Sequence, residues 1–180
     1  ADVRAAFDAA SSYALYPDVL EVLGAMDARG LRMGVISDWG TSLGLILLHH
    51  DLVRYFDFAI ISAQQRRAKP DPALFTTALR RADAIPDFTL HIGDSYVLDV
   101  LGARAAGITP VLLDRRHALD AAALDCLVVH DLYALLDLLE IARPTGHAAA
   151  TATPASAAPA SATPASAAPT PSASRPPATL

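Results

Sequence analysis

Between residues 17 and 143 the chain alternates between two hydrophobic periods. Unbroken apolar runs of strand length occur at 32–37, 58–62, 89–93, 109–113 and 127–129. Between them, at 17–28, 42–55, 72–82, 97–106 and 132–142, apolar residues recur at the spacing of a helix with one buried face. Pro17 and Pro72 stand at first-turn positions, where the missing N–H costs nothing, and Gly30 and Gly107 follow last turns. Strands apolar on both faces, alternating with amphipathic helices, predict a parallel sheet covered on both sides: a doubly wound α/β fold. Residues 1–16 read as a short leading helix.

Residues 144–180 follow another rule. They are almost wholly Ala, Pro, Ser and Thr, and the heptapeptide TPASAAP occurs at both 153–159 and 163–169. Frequent proline blocks helix, and without large apolar side chains nothing offsets the entropy of ordering the backbone. The segment is predicted to be a disordered tail. Its composition also allows a stalk or a partner-binding arm, with no partner specified.

Charge and cysteine content narrow the function classes. A net charge of −5 and a pI of about 5.6 argue against a nucleic-acid surface, which needs clustered Lys and Arg. They do not exclude a small phosphorylated metabolite, since a few local charges hold one phosphate. Cys126 is the only cysteine, so neither an internal disulfide nor a thiolate metal cluster is possible; within its apolar run it reads as a core residue. No apolar stretch has the length of a membrane span. His49, His50, His91, His117, His130 and His147 show no ligand spacing and read as helix-face or packed residues. Ala1 is neither an initiator Met nor the start of a signal-peptide core, and the acidic, disulfide-free domain suits the cytoplasm.

In open parallel sheets ligands bind beyond the carboxyl ends of the strands, where helix amides are free. Three polar clusters follow three of the predicted strands. Ser37-Asp38-Trp39-Gly40-Thr41 offers a hydroxyl and amides that suit phosphate oxygens, or else Ser37, Asp38 or Thr41 caps the next helix. Lys69, ahead of Pro70-Asp71-Pro72, offers an ammonium that could oppose phosphoryl charge, or else is a solvated lysine beside Arg66 and Arg67. Gly93-Asp94-Ser95 with Asp99 brings two carboxylates across a strand-to-helix junction toward one hard cation. Alternatively Asp94 or Ser95 caps the helix while Asp99 faces water. Trp39 either lines a pocket or packs in its loop.

On these residues the chain resembles the haloacid dehalogenase (HAD) superfamily. VISDWGTSL is similar to its second signature, RAKPDPALF to the third and HIGDSYVLDVLGARAAGITPVLLDR to the fourth, over about residues 17–131. YPDVLEVLGAMDARG resembles the segment returning from a helical cap, which makes 1–16 a cap remnant, 17–143 the core and 144–180 the tail. The resemblance implies a Rossmann-like core and a Mg²⁺-dependent phosphomonoester hydrolase working through an aspartyl-phosphate. Ser37 with the amides of Asp38 and Trp39 would bind the phosphoryl group. Lys69 would stabilise the charge of nucleophile and phosphate, Asp94 would ligate Mg²⁺, and Asp99 would ligate it or orient a bound water.

Two departures follow. The DxD signature, with the nucleophile on the central first strand, is absent: Asp8 has no apolar strand before it and no second carboxylate after it. Leu98 stands where a polar residue is common. The chain is therefore expected to be part of a longer protein, lacking the central strand and most of the cap. By itself it is expected to be inactive and of low stability, because the strands ending at Ser37 and Gly93 must pair directly or leave open edges. Alternatives are a metal-independent 2-haloacid dehalogenase, which Gly93-Asp94 disfavours, and a pseudo-enzyme or binding module.

Overall fold

The computed structural model describes residues 12–144. Its strands are β1 (Gly34–Ser37), β2 (Phe58–Ile61), β3 (Leu90–Gly93), β4 (Thr109–Leu113) and β5 (Leu127–Val129). Its helices are α1 (Val19–Ala28), α2 (Leu43–His49), α3 (Ser62–Gln65), α4 (Pro72–Ala82), α5 (Leu101–Ala105) and α6 (Tyr133–Leu138). A π-helical turn, Tyr96–Val100, runs straight into α5. The α/β architecture is thus as the periodicity predicts.

All strand pairs are parallel. Among the described residues they form two sheets, β1-β2 and β3-β4-β5, and β1 does not pair with β3. Of the two outcomes expected for those strands, the open edges are the one adopted.

Helices cover both faces. Val22 and Met26 of α1 join Val111, Val129, Leu135, Leu136 and Ile141 in one buried cluster, with Ile92 and Met33 packed against it. On the other side Leu74, Phe75 and Ala78 of α4 meet Ile60, Ala103 and Ile108, with Ile36 and Phe58 alongside. Successive strand side chains point to opposite faces, so Ile92 goes to the first cluster while the neighbouring His91 ring stands edge-on to Phe75 of the second, 4.9 Å between centroids.

Several boundaries differ from the pattern. The helix predicted over 42–55 stops at His49, because Asp51 turns left-handed (φ 56°) and the chain swings inward to bury Leu52. A separate 3₁₀ turn, Val53–Tyr55, follows. The helix predicted over 97–106 begins as the π turn, and α6 ends at Leu138, short of the predicted 142, with Glu140 left-handed (φ 54°) just beyond it. Gly30 and Gly107 do take left-handed conformations after helices. Cys126 is half-buried in the loop before β5 and belongs to neither core cluster. The 1–16 remnant is described only from Ser12, and the 144–180 tail only at Pro144. Asp8 and the repeats lie outside the described residues.

Candidate active site

The residues at the carboxyl ends of β1 and β3 are drawn together by Lys69. Its position follows from the start of α4: Pro72 occupies the first turn and the Asp71 carboxylate accepts from the Ala73 amide at 2.9 Å, fixing where the helix begins. Just ahead of that cap, the Lys69 amide donates to both carboxylate oxygens of Asp38, at 3.1 and 3.2 Å. Its ammonium reaches the other way and pairs with Asp99 Oδ1 at 2.7 Å. The side chain is only 12% exposed. Lys69 is therefore no solvated surface cation.

Asp99 is 2% exposed. The π turn carries it back over the strand it follows: its amide donates to the Ser95 carbonyl at 2.8 Å, and its carboxylate lies where a Cβ on Gly93 would stand, 2.1 Å from Asp99 Cγ. Glycine at 93 is what admits it. Oδ2 accepts from the Ser95 amide at 3.1 Å, and Oδ1 receives the His91 Nε2 at 2.9 Å besides Lys69. Burial pushes the Asp99 carboxyl up, but the hydrogen bonds from His91 and Lys69 outweigh it and hold the group at about 2. An ionised carboxylate only accepts, so the His91 Nε2 carries the proton.

Of the residues singled out by sequence, Lys69, Asp38 and Asp99 thus form one bonded group. Ser95 does cap the following turn, accepting from the Leu98 amide at 3.2 Å, yet Asp99 does not face water. Ser37 is the last residue of β1 and half-buried. Neither Ser37, Asp38 nor Thr41 caps α2, whose N-cap Ser42 makes no side-chain cap bond. Trp39 is 37% exposed, with Tyr13 edge-on at 5.7 Å, and its carbonyl accepts from the Ala63 amide at 3.4 Å. The amides of Trp39 and Gly40 have no acceptor among the described residues, which leaves two free donors beyond β1.

Asp94 is exposed and, among the described residues, makes no hydrogen bond or ion pair. No group of three or more His, Cys, Asp or Glu side chains gathers around a common point among the described residues. That donor set does not make an all-protein cage. A lone free carboxylate such as Asp94 would suffice for a cation that takes one or two carboxylates and keeps water or phosphate oxygens elsewhere, as Mg²⁺ does. Both oxygens of Asp99 are committed to protein donors.

Two contributions were not read from the sequence. By pattern His91 reads as a packed histidine, and the Asp38 carboxylate reads only as a candidate helix cap while its amide is assigned to phosphate. A signal for His91 does exist: His91 and Gly93 share a strand face, so a missing side chain at 93 opens space directly above the imidazole. Seeing what fills that space requires the fold-back of Asp99.

Comparison with known proteins bears on the family and the fold. The haloacid dehalogenase-like hydrolase family matches residues 1–107. The chain is 37% identical over 105 residues to haloacid dehalogenase-like hydrolase domain-containing protein 3 of Danio rerio, covering 58% of this chain and 43% of that one. A HAD phosphatase from Thermococcus onnurineus superposes with a TM-score of 0.67 at 28% identity, over 72% of this chain and 60% of its own. A 2-haloacid dehalogenase from Pseudomonas syringae pv. Tomato DC3000 does so with a TM-score of 0.61 at 30% identity, over 71% and 54%. The chain spans about half the length of the curated relatives it matches. With the family match extending over more than half of the sequence, the chain belongs to the haloacid dehalogenase-like hydrolase family.

Proposed function

We propose that the intact protein hydrolyses a phosphomonoester of a small metabolite with Mg²⁺ as cofactor. The reaction would pass through an aspartyl-phosphate whose carboxylate is carried by a strand lying between β1 and β3. The observation that carries this reading is Lys69, whose amide is bonded to Asp38 beyond β1 and whose buried ammonium is bonded to Asp99 beside β3, two strands that do not pair with each other among the described residues.

Covalent carboxylate catalysis depends on neutralising charge, because an anionic nucleophile must approach an anionic phosphoryl group. Lys69 supplies a cation beside both. The Ser37 hydroxyl and the amides of Asp38 and Trp39 bind phosphoryl oxygens as neutral donors that leave the line of attack open. Asp94 holds the metal, and Asp99 orients the cluster by fixing the ammonium and any water between it and the cation. Bound Mg²⁺ supplies divalent charge that stabilises the transferring phosphoryl group. The net charge of −5 supports a small-molecule substrate over a nucleic acid. Neither a membrane nor a partner protein enters this reading, and a cytoplasmic setting accords with it.

A second reading, metal-independent cleavage of a carbon–halogen bond, draws support from the similarity to a 2-haloacid dehalogenase. Asp94, exposed after Gly93 and without a hydrogen bond or ion pair among the described residues, favours the phosphatase, since a metal-free reaction gives that carboxylate nothing to bind.

The test is turnover by the polypeptide as encoded in its gene, with p-nitrophenyl phosphate and a panel of phosphomonoesters, with and without EDTA. Phosphate release abolished by EDTA and by Lys69→Ala is expected, and residues 1–180 alone are expected to release none. Halide release from a 2-haloacid in EDTA would transfer the reading to the dehalogenase. Ligand binding without turnover by the encoded polypeptide would make it a binding module.

A further inference from the structure

We infer that His91 is a positioning residue for the Lys69 ammonium, an inference that rests on the proposed phosphatase reading for its kinetic part. Asp99 is the only anion paired with Lys69 among the described residues, and the direction in which that carboxylate points decides where the ammonium stands. Two donors fix it independently of the lysine: the Ser95 amide on Oδ2 and the His91 Nε2 on Oδ1. The first is backbone and acts whatever side chain stands at 95. The second is a side chain, so the bond from position 91 is the one that sequence can remove.

His91 is well placed to bear that load. It lies on β3, a strand hydrogen-bonded to β4, and its ring is held edge-on by Phe75, which is fully buried. Phe75 in turn is backed by Gly102 of α5, where an added Cβ would come within 2.5 Å of the ring. A continuous line of packed groups thus runs from α5 through Phe75 and His91 to Asp99 and Lys69. Without the imidazole, Oδ1 loses one of its two donors and the carboxylate can rotate about its remaining bonds. The ammonium then samples positions away from the one seen.

Lys69 is the only lysine in the 180-residue sequence, so side-chain amine chemistry reports on this one group. The closing experiment uses His91→Phe, which keeps a ring against Phe75 but offers no donor, and His91→Gln, whose side-chain amide nitrogen can stand where Nε2 stood. In the encoded polypeptide, the labelling rate of Lys69 by an amine-reactive reagent is followed by peptide mass spectrometry, normalised to the labelling of the polypeptide's own α-amine. His91→Phe should raise that rate several-fold, and His91→Gln should return it toward the original. In the encoded polypeptide, His91→Phe should lower kcat about 10- to 100-fold with KM little changed, the range for loss of a supporting hydrogen bond, and His91→Gln should recover most of it.

Unchanged labelling and unchanged kcat in His91→Phe would overturn the inference, as would a His91→Gln variant no better than His91→Phe in both readouts. If the encoded polypeptide hydrolyses no phosphomonoester, the phosphatase reading falls while the labelling comparison still decides whether His91 holds Lys69.

Discussion

A single carboxylate, Asp99, takes three donors in a nearly dry setting, and its titration follows from that. Its folded-state pKa of about 2 lies below the ordinary 3.8, so the unfolded chain binds this proton more readily than the folded one. The stability it contributes is complete above pH 3.8 and is lost as pH falls toward about 2. Urea midpoints of residues 1–180 across that window should decline more steeply than those of Asp99→Asn, which has no proton to gain there. Parallel curves would mean that folding does not lower the Asp99 pKa. At this scale the sequence was legible as residue type and only partly as role. Lys69, Asp94 and Asp99 are conspicuous by spacing, because polar groups after apolar runs must lie at strand ends. His91 is not, because an imidazole within an apolar strand looks like any packed histidine until the turn beyond it is known to fold back.

At the scale of elements, strands were read well because their apolar runs end abruptly at turn residues: β4 and β5 have the predicted limits, and β1 to β3 lose only one or two residues. The helix starting at Pro72 was read equally well, while α1 begins at Val19, leaving Pro17 ahead of the N-cap Asp18 and not in the first turn. α4 spans the predicted 72–82, with Asp71 capping its start and Asp83 left-handed at its close. The helix predicted over 42–55 failed at Asp51, where apolar periodicity continues through a left-handed residue that no hydrophobic pattern records. The π turn escaped for a related reason, since one extra residue per turn barely shifts an apolar stripe over so short a span. Contact between α4 and α5 gives a prediction of its own. Gly102→Ala places a methyl group against the Phe75 ring at 2.5 Å, and a ring buried on every side has no room to retreat. A loss of about 1–3 kcal/mol in urea unfolding is expected for such overpacking; an unchanged midpoint would show that α5 can slide away.

Over the whole of residues 12–144, distant parts of the chain are joined by Asp18, which is 4% exposed. Its carboxylate accepts two bonds from Arg115, at 2.9 and 3.1 Å, and one from the Leu132 amide at 2.7 Å. The Arg115 guanidinium stands over Tyr16, 4.0 Å from the ring centroid. This fastens the residues entering α1 to the end of β4 and the start of α6. Asp18→Ala leaves a half-buried guanidinium and an amide unpaired, so a loss of about 3–5 kcal/mol is expected. Asp18→Asn, which keeps an acceptor for Leu132, should cost less; equal losses would deny the amide bond its part. None of this long-range closure was visible in the sequence, because no local pattern relates Asp18 to Arg115 or Leu132. The division into two sheets, by contrast, was anticipated as one of two outcomes from the missing signature.

The exposed indole beyond β1 has a practical bearing. Trp39 is the only tryptophan in the sequence, and it adjoins the free amides next to Ser37 while Tyr13 touches its ring edge. Emission excited at the red edge of protein absorbance therefore arises from one spot at the rim of the site. The molecule carries a built-in optical gauge there, so phosphate, vanadate or a metal ion settling nearby can be titrated by fluorescence with no dye attached.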